Sequence, residues 1–115
     1  MSPSLTAFIE SRMPQAGVAA WSMRDSDGTL AHHCYSDAPS PDQAEGAVGV
    51  AALAAESVRP YGIDHALLCW VYSRWRMHAG LRADGGCLVL FVENHPSNLN
   101  VGHEAVIDEF LRVVN

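Results

Sequence analysis

The residues of this chain that most readily suggest chemistry are His32, His33 and Cys34, since imidazole and thiolate groups are common metal ligands. On a β-strand, successive side chains point to opposite faces, so His32 and Cys34 would share one face and His33 would lie on the other. Two ligands on one face are too few for zinc, because structural sites use four protein ligands and catalytic sites use three. We therefore predict no metal site, and we expect a half-exposed strand with ordinary polar residues.

A cysteine nucleophile is a second chemical possibility, because the chain contains three cysteines and six histidines. Cys69 and Cys87 lie in apolar runs, where a cysteine usually packs as an inert side chain. Cys34 is the more accessible candidate, but no glycine motif of the oxyanion-hole type accompanies it. We therefore expect no catalytic residue, and a thiol enzyme remains an alternative.

Two glycine-containing segments have some features of ligand-binding loops. Asp25–Gly28 lacks the later acidic ligand of a calcium loop, so its Asp-Gly pair predicts a tight hairpin turn instead. Gly46–Gly49 falls inside a predicted helix and is not followed by the Lys-Ser/Thr pair of a phosphate-binding loop. The sequence therefore predicts no cofactor.

Charge and composition limit the class of partner and the location. The net charge is −6, and all seven basic residues are arginines, which argues against nucleic acid or an anionic membrane as the main partner. No apolar run approaches the roughly 20 residues of a membrane-spanning helix, and no signal peptide is visible. The chain has three cysteines at scattered positions, an odd number that indicates reduced thiols and not a set of disulfides. We therefore expect a cytoplasmic protein that forms one domain over residues 1–115.

The segment Gln43–Arg59 organises the rest of the chain. It is rich in alanine and free of proline, so it predicts a helix. Its apolar and small residues fall into two stripes at helical spacing: Ala44, Ala47, Ala51, Ala54, Ala55 and Val58 form the first, and Gly46, Val50, Leu53 and Ser57 form the second. A helix that covers one core needs only one stripe. We therefore predict a sheet against the first stripe and a partner against the second.

The flanking segments predict the order α-β-β-α-β-β-β-α. The predicted elements are a short helix capped by Ser4 and ended by Met13-Pro14, strands at Val18–Arg24, Thr29–Tyr35, Ala66–Tyr72, Trp75–Leu81 and Cys87–Val92, and a last helix from Asn100 or Val101 to Val113. Two hairpins and a meander give a five-stranded antiparallel sheet. The central helix would cover one face and the two terminal helices the other, which is an α+β sandwich.

Three further expectations concern which side chains are buried. The first strand should alternate regularly, with Val18, Ala20 and Ser22 on one face. Ala66–Tyr72 is so apolar that we expect cover on both of its faces. The last helix should present one apolar face, formed by Val101, Ala105, Val106, Phe110 and Val113.

Trp70, Tyr72, Arg74 and Arg76 form a candidate partner-binding surface. They would alternate onto one face if the strand were continuous, and tryptophan, tyrosine and arginine commonly anchor interfaces. The alternative is that the aromatic residues belong to the core and the arginines to a solvated edge. A break near Ser73 is expected, and it would divide this face between two strands.

The order and spacing of these elements resemble the roadblock, or dynein light chain, family, which has a profilin-like architecture. The resemblance extends over nearly the whole chain and is carried by Leu5–Ile9 with Pro14–Val18, Asp27–Leu30, Gln43–Arg59, Leu88–Val92 and Asn98–Gly102. No single motif is specific, so the order and spacing of the segments carry the resemblance.

The resemblance implies a non-enzymatic regulatory or scaffold protein that forms homodimers. In such dimers the central helices pack together and an edge strand from each subunit joins a continuous sheet. Gly46, Val50, Leu53 and Ser57 would then form the dimer interface. The implied partner is a small Ras-like GTPase or a motor assembly, and we favour the GTPase. The alternative is a profilin-like sensor domain that holds a small ligand between sheet and helix.

Overall fold

The structure is a computed structural model that describes residues 1–62, 67–98 and 102–114. Within these residues the helices are α1 (Pro3–Arg12), α2 (Pro41–Val58) and α3 (His103–Arg112), and the strands are β1 (Val18–Arg24), β2 (Leu30–Cys34), β3 (Leu67–Val71), β4 (Trp75–Leu81) and β5 (Cys87–Glu93). Short 3-10 helices follow α2 at Arg59–Tyr61 and β5 at Pro96–Asn98. The predicted order of helices and strands is confirmed.

The five strands form one antiparallel sheet in the order β2-β1-β5-β4-β3. The central strand β5 is buried from Cys87 to Val92, as its continuous apolar run requires. Helix α2 covers one face of the sheet, and α1 and α3 cover the other face, so each face has its own hydrophobic cluster. The predicted α+β sandwich, with one central helix on one side and two terminal helices on the other, is confirmed.

Helix α2 begins with a complete capping box. The Ser40 hydroxyl accepts a hydrogen bond from the Gln43 backbone N–H at 3.2 Å, and Gln43 Oε1 accepts one from the Ser40 backbone N–H at 2.9 Å. Pro41 occupies the first turn, where its missing N–H costs no helical hydrogen bond. The chain therefore enters α2 in a defined direction, which sets the side chains that face the sheet.

Helix α1 begins two residues earlier than predicted from the sequence. Its cap is Ser2, whose hydroxyl accepts a hydrogen bond from the Leu5 backbone N–H at 3.3 Å, and Pro3 is the first helical residue. Ser4 was predicted as the cap, but it lies within the helix because the Ser2-Pro3 pair provides both a cap and a helix-starting proline. The helix ends at Arg12, before the predicted Met13-Pro14 stop.

The regular alternation predicted for β1 is wrong because the strand contains a bulge. Val18 pairs with Val92 of β5, but Ala20 pairs with Phe91, so β1 contains one extra residue between these pairs. Val18 therefore packs in the cluster beneath α1 and α3, whereas Ala20 packs in the cluster beneath α2. The bulge divides the two residues that the sequence placed on one face.

Strand β3 does not have the two-sided cover that its apolar sequence predicted. It is an edge strand, and it pairs only with β4 among the described strands. Leu68 and Trp70 pack against the α2 cluster, but Leu67, Cys69 and Val71 are exposed on the other face. On that face, α3 packs mainly over β4 and to a lesser extent over β5.

Helix α3 packs closely against β4 at Gly80. A Cβ atom at Gly80 would lie 2.7 Å from Ile107 Cγ2, so only glycine allows this approach. The helix buries His103, Val106, Ile107 and Phe110. The sequence prediction missed Ile107 and wrongly included Ala105, which is exposed. The predicted start at Asn100 or Val101 lies outside the described residues, and α3 begins at His103.

A buried pair of histidines joins α3 to the sheet. The rings of His78 on β4 and His103 on α3 are nearly parallel, with centroids 6.1 Å apart. His103 Nε2 donates a hydrogen bond to the Ala16 carbonyl at 2.8 Å, whereas His78 Nε2 has no hydrogen-bond partner within the described residues. Burial lowers the pKa of His78, the Arg76 guanidinium and His103 lower it further, and the Glu104 carboxylate opposes this effect. His78 is therefore neutral in the folded protein near neutral pH.

The lowered pKa of His78 predicts that the free energy of unfolding decreases in mild acid. The folded-state pKa of His78 lies below its ordinary value of 6.5, so the unfolded chain binds more protons as the pH falls. The stabilisation is complete above about pH 6.5 and is lost as the pH falls through the folded-state pKa. Urea unfolding followed by circular dichroism should give a lower free energy of unfolding at about pH 5.5 than at about pH 7.5.

The matched variants for this measurement are His78→Gln and His33→Gln. His33 is exposed on β2, so His33→Gln should retain the full pH dependence. His78→Gln should reduce that dependence, whatever it does to the stability at neutral pH. An equal pH dependence in both variants would show that His78 is not the responsible group.

Candidate interaction surface

The outward face of α2 is formed by the second predicted stripe. Gly46, Val50, Leu53 and Ser57 are all exposed, and the exposed fractions of Val50 and Leu53 are 56% and 74%. The Ser57 hydroxyl donates a hydrogen bond to the Ala54 carbonyl at 2.7 Å, so its polar group is satisfied within the helix. This face, which we call the outer stripe, therefore offers apolar and small side chains to solvent along three turns of one helix.

The opposite face of α2 packs on the sheet through very small side chains. Ala44, Ala47, Ala51 and Ala55 of the first predicted stripe are buried, while Ala54 and Val58 are half-buried. Val48 is also buried, although neither predicted stripe included it. These side chains form the α2 part of the hydrophobic cluster on this side of the sheet.

Neither glycine of α2 is in close contact with another part of the described chain. A Cβ atom built at Gly46 or Gly49 would meet nothing within 4 Å. Each glycine costs the helix about 1 kcal/mol relative to alanine, and no contact within the described residues requires it. Close approach to the sheet therefore does not explain these glycines.

An open groove of about 340 Å³ runs beside the amino-terminal half of the outer stripe. One wall comes from the loop before α2 and from α2 itself, and the other comes from the β3–β4 turn, β4 and β5. The lining residues are Pro39, Gln43, Gly46, Ala47, Val50, Tyr72, Trp75, Met77 and Phe91. The groove connects the outer stripe with the end of β3.

The edge strand β3 also exposes apolar side chains, and those of Leu67 and Val71 lie on the sheet face opposite α2. The exposed fractions of Leu67 and Val71 are 51% and 69%, and Tyr72 after the strand is also half exposed. The segment from Leu67 to Val71 contains no charged residue. An uncharged edge strand with exposed apolar side chains is a site at which another strand can pair.

The structure separates the four residues of the predicted aromatic and arginine surface. The chain turns at residues 72–74, so β3 and β4 are distinct strands. Trp70 faces the α2 cluster, whereas Arg76 lies on the opposite face and donates a long hydrogen bond of 3.4 Å to the Asn98 carbonyl. Tyr72 lines the groove, and the Arg74 guanidinium lies 4.7 Å from the Trp75 ring centroid. These side chains therefore do not share one strand face.

The residues considered for chemistry are dispersed. Cys87 is buried, and burial raises its pKa to about 11. Cys69 is exposed, whereas the sequence predicted that it packs inside. Desolvation nevertheless raises the pKa of Cys69. Cys34 is half-buried against the α2 cluster. Over residues 1–62, 67–98 and 102–114, no three His, Cys, Asp or Glu side chains are grouped as metal ligands would be.

No helix in those ranges is long and apolar enough to span a membrane.

Comparisons with known proteins identify the fold. The chain matches no protein-family model and no curated protein sequence. Its structure is similar to that of MglB from Myxococcus xanthus, with a TM-score of 0.62 and 12% sequence identity over 96% of this chain and 94% of that one. MglB has the roadblock fold, so the chain has a roadblock-like fold, as the order of its elements predicted.

Proposed function

We propose that this chain is a non-enzymatic regulatory protein of the roadblock type, which forms a homodimer and binds a small Ras-like GTPase. The observation that carries the proposal is the outer stripe of α2. Its Val50 and Leu53 are exposed, and Val50 borders the groove that reaches Tyr72 after β3. In an isolated chain this surface exposes apolar area to water at a cost of about 25 cal/mol per Å².

The proposed dimer is a two-fold arrangement in which the outer stripes of two copies meet. In such an interface the same patch lies on both subunits, so small residues at Gly46 and Ser57 would admit the larger Val50 and Leu53 of the other copy. The outward glycines of α2 then have a physical reason, since they permit close approach of a second helix. The edge strands β3 would pair in the same assembly and extend the sheet across both subunits.

The sensor alternative is supported less well than the dimer. A ligand between sheet and helix needs room there, and the structure offers it in the open groove, whose lining includes Ala47 of α2 with Met77 and Phe91 of the sheet. Gly46 and Val50 of the outer stripe form part of its wall. The proposed dimer would cover that wall, so we favour the scaffold.

The partner proposal rests on the fold and on charge. MglB is a GTPase regulator of the roadblock type, and the present chain has a similar fold. The net charge of −6 disfavours a nucleic acid partner. We further propose that the protein acts in the cytoplasm, in keeping with its three free cysteines.

The first prediction is that Leu53→Arg dissociates the dimer. The substitution would place two arginines near the two-fold axis of an apolar contact, where an unpaired charge costs several kcal/mol. The dimer dissociation constant should therefore rise at least about tenfold. Light scattering over a dilution series gives the solution mass, and circular dichroism should show an unchanged fold because Leu53 lies outside the monomer core.

The matched control for this variant is Leu30→Arg. Leu30 is another exposed leucine, 46% exposed on the opposite edge strand β2. The same substitution there should leave the dimer intact. A wild-type protein that is monomeric at micromolar concentration would refute the dimer.

The second prediction concerns Cys69, which lies at the centre of the five-residue strand β3. A two-fold antiparallel pairing that uses the whole strand places Cys69 beside its counterpart, within the Cα separation of about 4.4–6.8 Å that a disulfide allows. Mild oxidation of the dimer should therefore give a covalent dimer on a non-reducing gel. Cys69→Ser should abolish that band and Cys34→Ser should not. A band that depends on Cys34 instead would contradict pairing through β3.

The third prediction concerns the partner. Wild-type protein immobilised on a resin and exposed to an extract of the native organism should retain a Ras-like GTPase, identified by mass spectrometry. The purified GTPase should then show an altered rate of GTP hydrolysis or nucleotide exchange when wild-type protein is added. If the wild type is dimeric but retains no GTPase, the scaffold proposal survives and the GTPase assignment fails.

A further inference from the structure

A second concave site lies at the far edge of the sheet, between α1 and the β1–β2 hairpin. It is a cleft of about 210 Å³, and we call it the aromatic cleft. Its lining residues are Ile9, Glu10 and Met13 from α1, Trp21 from β1, and His33 and Tyr35 from β2 and the residue after it. None of these residues belongs to the outer stripe of α2.

The aromatic rings of the cleft are held in place by contacts with one another. Trp21 and His33 are directly paired across β1 and β2, so their side chains are neighbours on the α1 side of the sheet. The Trp21 indole N–H donates a hydrogen bond to the Tyr35 hydroxyl at 3.2 Å. The His33 and Tyr35 ring centroids are 4.5 Å apart. The rings therefore form a wall that is already arranged before any ligand binds.

The carboxylate of the cleft has no cationic partner within the described residues. Glu10 is exposed and forms no ion pair there. The nearest arginine along α1, Arg12, is paired with Glu109 at 2.5 Å and also donates to the Ser11 hydroxyl. The other arginines are engaged elsewhere: Arg59 with Glu56, Arg82 with Asp84, Arg112 with Asp108, Arg24 with the Gly85 carbonyl, Arg76 with the Asn98 carbonyl and Arg74 with the Trp75 ring.

We propose that the aromatic cleft binds the guanidinium group of an arginine from a protein partner. Aromatic faces attract cations, and a carboxylate beside them adds a charged hydrogen-bond acceptor. Guanidinium fits both features better than ammonium does, because it is planar, stacks on aromatic rings and donates several hydrogen bonds in one plane. The carboxylate of Glu10 in the lining, within a chain of net charge −6, favours a cationic occupant.

The cleft is remote from the surface assigned to the dimer. It lies beside β2, whereas β3 is at the other edge of the sheet. It also opens on the side covered by α1, whereas the outer stripe belongs to α2 on the other side. The proposal for the cleft therefore depends neither on dimerisation nor on the identity of the GTPase, and a dimer would display two open clefts.

The test is a titration with N-acetylarginine amide, followed by the indole N–H signals in a ¹H–¹⁵N correlation spectrum. The Trp21→Phe variant identifies the Trp21 signal among those of the three tryptophans. That signal should shift in a saturable manner with N-acetylarginine amide. N-acetylcitrulline amide has nearly the same shape without the charge, and it should produce a much smaller shift at equal concentration.

The contribution of the Glu10 carboxylate is tested with Glu10→Gln and the control Glu45→Gln. Both residues are exposed glutamates on helices, so neither substitution disturbs the core. Glu10→Gln should weaken arginine binding by about two- to fivefold, as expected for loss of an exposed ion pair, and Glu45→Gln should leave it unchanged. Equal shifts from arginine and citrulline, no saturable shift at Trp21, or equal affinities in the two variants would each overturn the proposal.

Discussion

The contact on which the structure most depends is the direct packing of the alanine face of α2 on the sheet. The buried alanines of α2 pack over β1, β2, β4 and β5, and the strands contribute larger residues such as Met77, Val89 and Phe91 to the cluster beneath the helix. Of the larger apolar residues of α2, Val48 is buried and Val58 is half-buried, whereas Val50 and Leu53 face solvent. The outer stripe is thus the face of the helix that the sheet does not cover.

The periodic features of the fold could be predicted from the sequence because they are local. Helical spacing separated the buried alanines of α2 from the exposed stripe, and the Asp-Gly pair within Asp25–Gly28 marked the hairpin turn between β1 and β2. Spacing alone did not reveal Val48, which lies at the border of the buried face. The bulge in β1 was also missed, since it is defined by how β1 pairs with β5, and no local pattern in Val18–Arg24 signals the extra residue.

The environment of β3 could not be predicted because it depends on strand order and on where α3 lies. An apolar run has the same residue pattern in a strand that is buried on both faces and in an edge strand that is exposed on one face. The aromatic cleft was missed for a related reason. Trp21 and His33 become neighbours only through the register of β1 with β2, and Glu10 joins them only when α1 packs on that face. A hairpin register derived from the Asp27-Gly28 turn would have brought the two rings together, but not the carboxylate.

The two edges of the sheet differ in a way that favours self-association at only one of them. Folded proteins usually protect an edge strand with charge, proline, a bulge or polar side chains, because an unprotected edge pairs with other chains. At β2, His32 and His33 provide polar side chains along the strand. At β3, Leu67 to Val71 contains none of these devices and exposes leucine and valine. An edge with this composition is stable in solution when a partner covers it. In the proposed dimer, a second copy of the chain would cover both this edge and the outer stripe of α2.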